Sequence, residues 1–430
     1  MRRFKDSGVP WIPSLPEGWA VGRLKNFAKI TLGKMLNAAE SDRHTIELPY
    51  VRAANLSERS SIEARHLKRM WFSPKEVKRL ALREHDVLIV EGGNVGMPLL
   101  VGSIDEREPV CFQNSINRLR SVQDSKFLFY WMKFLFDSGY HSNNINTVSF
   151  PHLTKEKLGV VPIFIPPLIE QRAIGVWLDR HVGDVDARTR LNRSKREKLR
   201  ELKESILEEC MFCGLRSRGS APSHWKTVRV ASLFQEAADE GEDGLPMLSV
   251  SIHSGISDKE LGDDEMERKV TRSVDKRVYK RVRRGDLVYN QMRAWQGAFG
   301  TAKIDGLVSP AYVVARPKDG VNSTFIEHLL RAPSMIEEIR RRSRGITDFR
   351  LRLYWDQFKN IHVALPSPEE QREIVKFVEK TLAKVNAQLE NLQCLEDKLK
   401  EHRQALIRSA VTGEIDLSSF VVNDGFANAA

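Results

Sequence analysis

Apolar residues in this chain follow two different periods, one helical and sustained, the other short and strand-like. In the later helical stretch, Ile374, Val378, Thr381, Val385, Gln388, Leu392, Leu395, Leu399, His402 and Leu406 recur at alternating spacings of four and three. That is a heptad seam held over more than four repeats, and it predicts a long coiled-coil helix. An earlier stretch repeats it with Ile174, Leu178, His181, Val185, Arg188, Asn192, Lys195, Leu199, Leu202 and Ile206, although its middle is polar. Prolines mark both starts, at Pro166-Pro167 and at Pro366 and Pro368, where the first helical turn tolerates them. Glu170, Glu369 and Glu370 place negative charge near the positive end of each helix dipole. Gly214 and Gly413 close the two runs, as C-terminal glycines do. Each helix, at roughly 40 residues, would reach about 60 Å. Because both seams share one register, the helices are expected to pair rather than lie as independent surface helices, and their order along the chain makes the expected pairing antiparallel.

Outside these runs the pattern is mixed. Val87–Val90, Leu287–Tyr289 and Val308–Ala315 read as strands, and Phe127–Phe136 and Phe325–Leu330 read as buried helices. The fold class expected is α+β.

The chain is also an internal duplication. Leu153–Arg172 aligns with Leu353–Arg372 at an offset of 200, and the register continues through Ile174/Ile374, Val185/Val385, Leu199/Leu399 and Glu201/Glu401. Upstream, Pro16-Glu-Gly-Trp19 and Arg23 match Pro222-Ser-His-Trp225 and Arg229 at an offset of 206. Between these ends the similarity thins to fragments such as His85-Asp86-Val87-Leu88 against Gly285-Asp286-Leu287-Val288. The ends of the two units are alike and the middles differ. A repeat of this kind predicts two equivalent structural units with different surfaces.

Composition adds a partner class. Of 430 residues, 68 are Lys or Arg and 57 are Asp or Glu, a net charge of +11 that favours a polyanion through counterion release. No apolar run is long enough to span a bilayer. Met1-Arg-Arg-Phe-Lys-Asp lacks the apolar core of a secretory signal, and the cysteines at 111, 210, 213 and 394 make no disulfide framework, so a reducing cytoplasm is expected.

Catalytic signatures are missing from the sequence. It has no phosphate-binding G-x-x-x-x-G-K-[ST] loop, no H-E-x-x-H and no G-x-S-x-G. Ser309-Pro-Ala-Tyr312 only faintly resembles an amino-methyltransferase motif and reads as a turn and strand, while Glu91-Gly-Gly-Asn-Val-Gly96 has glycines but no lysine for a phosphate. Cys210-Met-Phe-Cys213 has no second ligand pair nearby, so packed helix-end cysteines are the better reading. His181 and His402 read as packing residues. No metal site is expected.

Candidate nucleic-acid contacts come from arginine, glutamine and asparagine, the residue types that meet phosphates and base edges. The densest stretch runs from Arg340 to Arg352 and contains Arg340, Arg341, Arg342, Arg344, Arg350 and Arg352. Gln291, Arg293 and Gln296 follow the Leu287–Tyr289 strand, in a segment that Trp295 could equally anchor as a packed loop. In the first unit the weaker candidates are Asn94, Gln113 and Asn114.

With repeat, caps and heptads in place, the chain resembles the specificity subunit of type I restriction–modification systems over nearly its whole length. The resemblance rests on Asp6-Ser-Gly-Val-Pro-Trp11 with Leu15-Pro-Glu-Gly-Trp19, on the helix entries at 166–172 and 366–372, and on Gln404–Ile415. It implies two globular target-recognition domains separated by two long antiparallel coiled-coil helices, related by a pseudo-two-fold repeat. The expected division is target-recognition domains at 1–165 and 215–365, spacer helices at 166–214 and 366–415, and a tail at 416–430. It further implies a non-catalytic subunit that binds a bipartite site in double-stranded DNA and docks two methyltransferase subunits, with restriction subunits as further partners. S-adenosylmethionine, ATP and Mg would belong to those partners, with no cofactor on this chain. Two alternatives stay open: a coiled-coil DNA-binding scaffold without sequence preference, and a stand-alone DNA methyltransferase.

Overall fold

The computed structural model describes residues 2–37, 39–41, 43, 45–56, 66–104, 108–141, 152–215, 222–252, 255–257, 275–345, 351–417 and 420. The chain forms two compact units, one built from residues 1–192 and 394–430, the other from residues 193–393. The division cuts through both long helices, Leu168–Cys213 and Pro368–Val411. Each unit therefore contains the start of one long helix and the end of the other.

In the first unit an antiparallel sheet has the order Ala28–Leu32, Ile116–Ser121, Val87–Val90, Pro98–Leu100. In the second the same order recurs as Phe234–Ala237, Tyr312–Pro317, Leu287–Asn290, Phe299–Thr301. The apolar run at 308–315 is two strands: Gly306–Val308 pairs elsewhere, and Ser309-Pro-Ala turns the chain into Tyr312–Pro317. Behind each sheet lies a helix started by a side-chain cap. Asp124 accepts from the Phe127 amide ahead of Ser125–Asp137, and Asn322 accepts from the Phe325 amide ahead of Ser323–Leu330.

The duplicated sequence ends perform the same work in both units. Ala20–Arg23 pairs with Pro162–Ile165, and Lys226–Arg229 with His362–Leu365, each pair leading directly into a long helix. Gln171 and Gln371 are buried at those helix starts. Their Nε2 atoms donate to the carbonyls of Pro166 (2.8 Å) and Pro366 (2.9 Å), just ahead of each helix. Leaving such a buried carbonyl unpaired costs about 1–3 kcal/mol, which explains why the repeat keeps glutamine there.

Glycines close the helices as expected. Gly413 has φ of 78° and a Cβ there would lie 3.2 Å from the Trp19 ring; Gly214 has φ of 73° and a Cβ there would lie 3.2 Å from the Trp225 ring. In the first unit Ile174, Leu178 and Val182 share a core with Ile407, Ala410 and Val411. In the second, Ile374, Val378 and Leu382 share one with Leu207, Cys210 and Met211. Cys210 is thus a core residue, its thiol pushed up to about 11 by burial. His181 stacks on Trp177 at 4.1 Å.

Helix pairing within each unit is antiparallel. Asp186 accepts from Arg403 at 2.9 Å in the first, and Asn386 from Lys203 at 3.1 Å in the second. The seam differs from the expected one at alternate positions. Ile374, Val378, Val385 and Leu399 are buried, but so is Leu382, whereas Gln388, Leu395 and His402 are exposed. On the first helix Val182 is buried, while Arg188, Lys195 and Leu202 face solvent. A heptad fixes one of its two seam positions and leaves the other three or four residues on. The fold takes the choice that turns Leu382 and Leu389 inward instead of Thr381 and Gln388.

One buried carboxylate organises each sheet. Asp86 accepts from Arg120 Nε and Nη2, both at 2.7 Å, and from the Arg83 amide at 2.8 Å. Asp286 accepts from Arg316 Nε at 3.2 Å, its Nη2 at 3.1 Å, and the Arg283 amide at 2.9 Å.

Candidate nucleic-acid interface

In the second unit the Leu287–Asn290 strand leaves its sheet through a loop that its own side chains fix. Asn290 Oδ1 accepts from the Met292 amide at 3.0 Å, and Trp295 Nε1 donates to the Met292 carbonyl at 2.9 Å. Gly297, with φ of 89°, completes the turn, and the Ala298 amide returns to the Arg293 carbonyl at 3.2 Å. Met335 and Ile339 bury one face of the Pro333–Arg342 helix, which leaves Arg340 and Arg341 exposed and Arg342 half-buried. The Arg340 guanidinium lies 5.7 Å from the centre of the Trp295 ring, a cation–π contact between helix and loop.

Beyond that helix, Arg344 and Arg352 exchange backbone hydrogen bonds, both 2.9 Å, with their side chains exposed. The Leu353 amide then donates to the Gln291 carbonyl at 2.9 Å. The two candidate stretches, 291–296 and 340–352, therefore form one surface. Gln291 and Arg293 are half-buried in it and Gln296 is exposed. Arg341 and Arg342 both pair with Glu338, at 3.3 and 2.5 Å, which offsets part of their charge. Arg350 lies outside the described residues.

The first unit brings its candidates to the same sheet end. Asn94 is exposed on the loop joining Val87–Val90 to Pro98–Leu100. Gln113 and Asn114 are half-buried in the turn before Ile116–Ser121. The Glu91 amide donates to the Ser115 carbonyl at 2.9 Å and joins that turn to the loop. The Leu153 amide donates to the Glu91 carbonyl, also at 2.9 Å, as Leu353 does to Gln291.

Sequence reasoning missed Glu91 and the Trp295–Arg340 contact. For Glu91 the signal was present: the 200-residue offset that aligns Asp86 with Asp286 also aligns Glu91 with Gln291. Burial pushes the Glu91 carboxyl up, with Glu156 adding to the effect and His152 opposing it. The first loop is thus acidic and the second basic. Both surfaces offer hydrogen-bonding groups on a fixed backbone, and no group of three His, Cys, Asp or Glu among the described residues is placed to hold a metal ion.

The two units thus present similar sheet ends with unlike loops. Residues 16–200 match the family described as type I restriction modification DNA specificity domain. The EcoBI specificity subunit of a type I restriction enzyme from Escherichia coli is 22% identical over 445 residues, spanning 95% of this chain and 89% of the relative. The MjaVIII specificity subunit of Methanocaldococcus jannaschii is 24% identical over 220 residues, or 50% of this chain and 49% of the relative. A solved chain from a type I restriction–modification complex shares the fold, with a TM-score of 0.66 and 16% identity over 93% of this chain and 99% of that one. Over residues 16–200 the chain is thus similar to the type I restriction modification DNA specificity domain, and over most of its length to a type I restriction enzyme specificity subunit. Among the described residues no helix is long and apolar enough to cross a membrane.

Proposed function

We propose that this chain binds a bipartite site in double-stranded DNA, one half-site to each unit, and docks the methyltransferase subunits that act there, with restriction subunits as additional partners. The observation that carries the reading is the repeated sheet end. The same four strands present Gln291, Arg293 and Gln296 in one unit and Asn94, Gln113 and Asn114 in the other. Like scaffolds with unlike loops suit two different half-sites. Arginines such as Arg340, Arg344 and Arg352 would hold phosphates, while glutamine and asparagine meet base edges. Residues 1–165 and 215–365 would be the target-recognition domains, and 166–214 and 366–415 the helices that set their spacing. S-adenosylmethionine, ATP and Mg would belong to the partner subunits.

Selection from a random duplex library tests this, using the complex purified through a tag on this chain. The expected result is enrichment of two short motifs at one fixed gap. Enrichment of no motif would favour a scaffold without sequence preference, and methyl transfer by the isolated chain would favour a stand-alone enzyme.

A further inference from the structure

Glu91 and Gln291 occupy equivalent places. Each stands one residue after its strand, and each main-chain carbonyl is pinned at 2.9 Å by the amide of a repeat-related leucine, Leu153 or Leu353. Neither side chain has a hydrogen-bond partner among the described residues, although both are half-buried and His152 acts on Glu91 through its charge. A side chain on a fixed backbone, partly desolvated and unpaired, is prepared to meet an external polar group with little loss of entropy.

Its neighbours carry the same character. Gln291 shares its loop with Arg293 and Gln296, and Glu91 shares its loop with Asn94 and is joined through Ser115 to the turn bearing Gln113 and Asn114. The two residue types differ in what they can accept. A carboxylate only accepts, and in the major groove it suits the cytosine N4 amino group; an amide both donates and accepts, and it suits the N6 and N7 edge of adenine. A carboxylate also repels phosphates, so at this position it excludes backbone binding and favours a base amino group.

We infer that positions 91 and 291 are a matched pair of specificity-determining residues, with Glu91 taking a cytosine in one half-site and Gln291 an adenine in the other. This rests on the bipartite-site reading above. The test is the same library selection with the tagged complex carrying Glu91→Gln or Gln291→Glu, near-isosteric exchanges whose melting temperatures are checked against the wild type. For Glu91→Gln the expected result is a change at one base of one half-site, with preference moving from cytosine to adenine by about tenfold or more. Gln291→Glu should do the reverse at one base of the other half-site. The remaining letters and the gap should persist. Motifs unchanged in both variants, or changes spread across both half-sites, would overturn the inference while leaving the bipartite reading intact. A wild-type complex that selects no two-part motif would instead remove the reading on which it rests.

Discussion

Replacing Asp86 with alanine is expected to destabilise the first unit by about 3–5 kcal/mol, the scale of breaking one side of a buried ion pair. Asp86 is 1% exposed and sits beside Arg118, which is itself 2% exposed and held down to about 10 by burial. Without the carboxylate, Arg118 keeps its charge in an apolar setting, and Arg120 loses both of its 2.7 Å bonds. The corresponding Asp286→Ala change should cost less, about 1–3 kcal/mol. There Arg316 is more exposed and retains Asp239 at 2.9 Å, so no cation is left without a partner. Denaturant unfolding of both variants, followed by tryptophan fluorescence, checks the size and the order. Equal losses would mean that Arg118 does not depend on Asp86.

A second large effect concerns distance. Removing one heptad from each long helix at matched positions, residues 190–196 and 393–399, is expected to shorten the gap between half-sites and leave their letters alone. The choice follows the pairing register: Lys203 lies 17 residues after Asp186, and Asn386 lies 17 before Arg403. Seven helical residues amount to about 10 Å, or about three base pairs. Removing a heptad from only one helix should instead misalign the seam and abolish selection. Motif mapping on both variants checks this, and altered half-site letters in the matched deletion would contradict it.

Much of this architecture was legible in the sequence because the features behind it are local. Prolines and acids at the helix starts and Gly214 and Gly413 at the ends act through neighbouring residues, and the repeat can be read by aligning the chain with itself. The seam was legible only in part. Its fixed positions, such as Val378 and Val385, are apolar in any register, but the alternate ones depend on which residues the partner helix covers, as Leu382 illustrates. The joining of 291–296 with 340–352 could not be read, since it depends on a tertiary hydrogen bond from Leu353 to Gln291 and on Arg340 meeting Trp295. Nor did the sequence reading yield the division of both helices between the two units. It follows from long-range packing of Ile174 and Leu178 with Ile407 and Val411.

If each unit reads its own half of the site, a variant with Arg340, Arg344 and Arg352 all changed to alanine should impair one half alone. Library selection by the tagged complex should keep one half-site sharp while the letters of the other become degenerate, and the salt dependence of binding should fall by a slope of about 3 for three lost phosphate contacts. Equal blurring of both half-sites, or an unchanged motif with an unchanged salt slope, would contradict it.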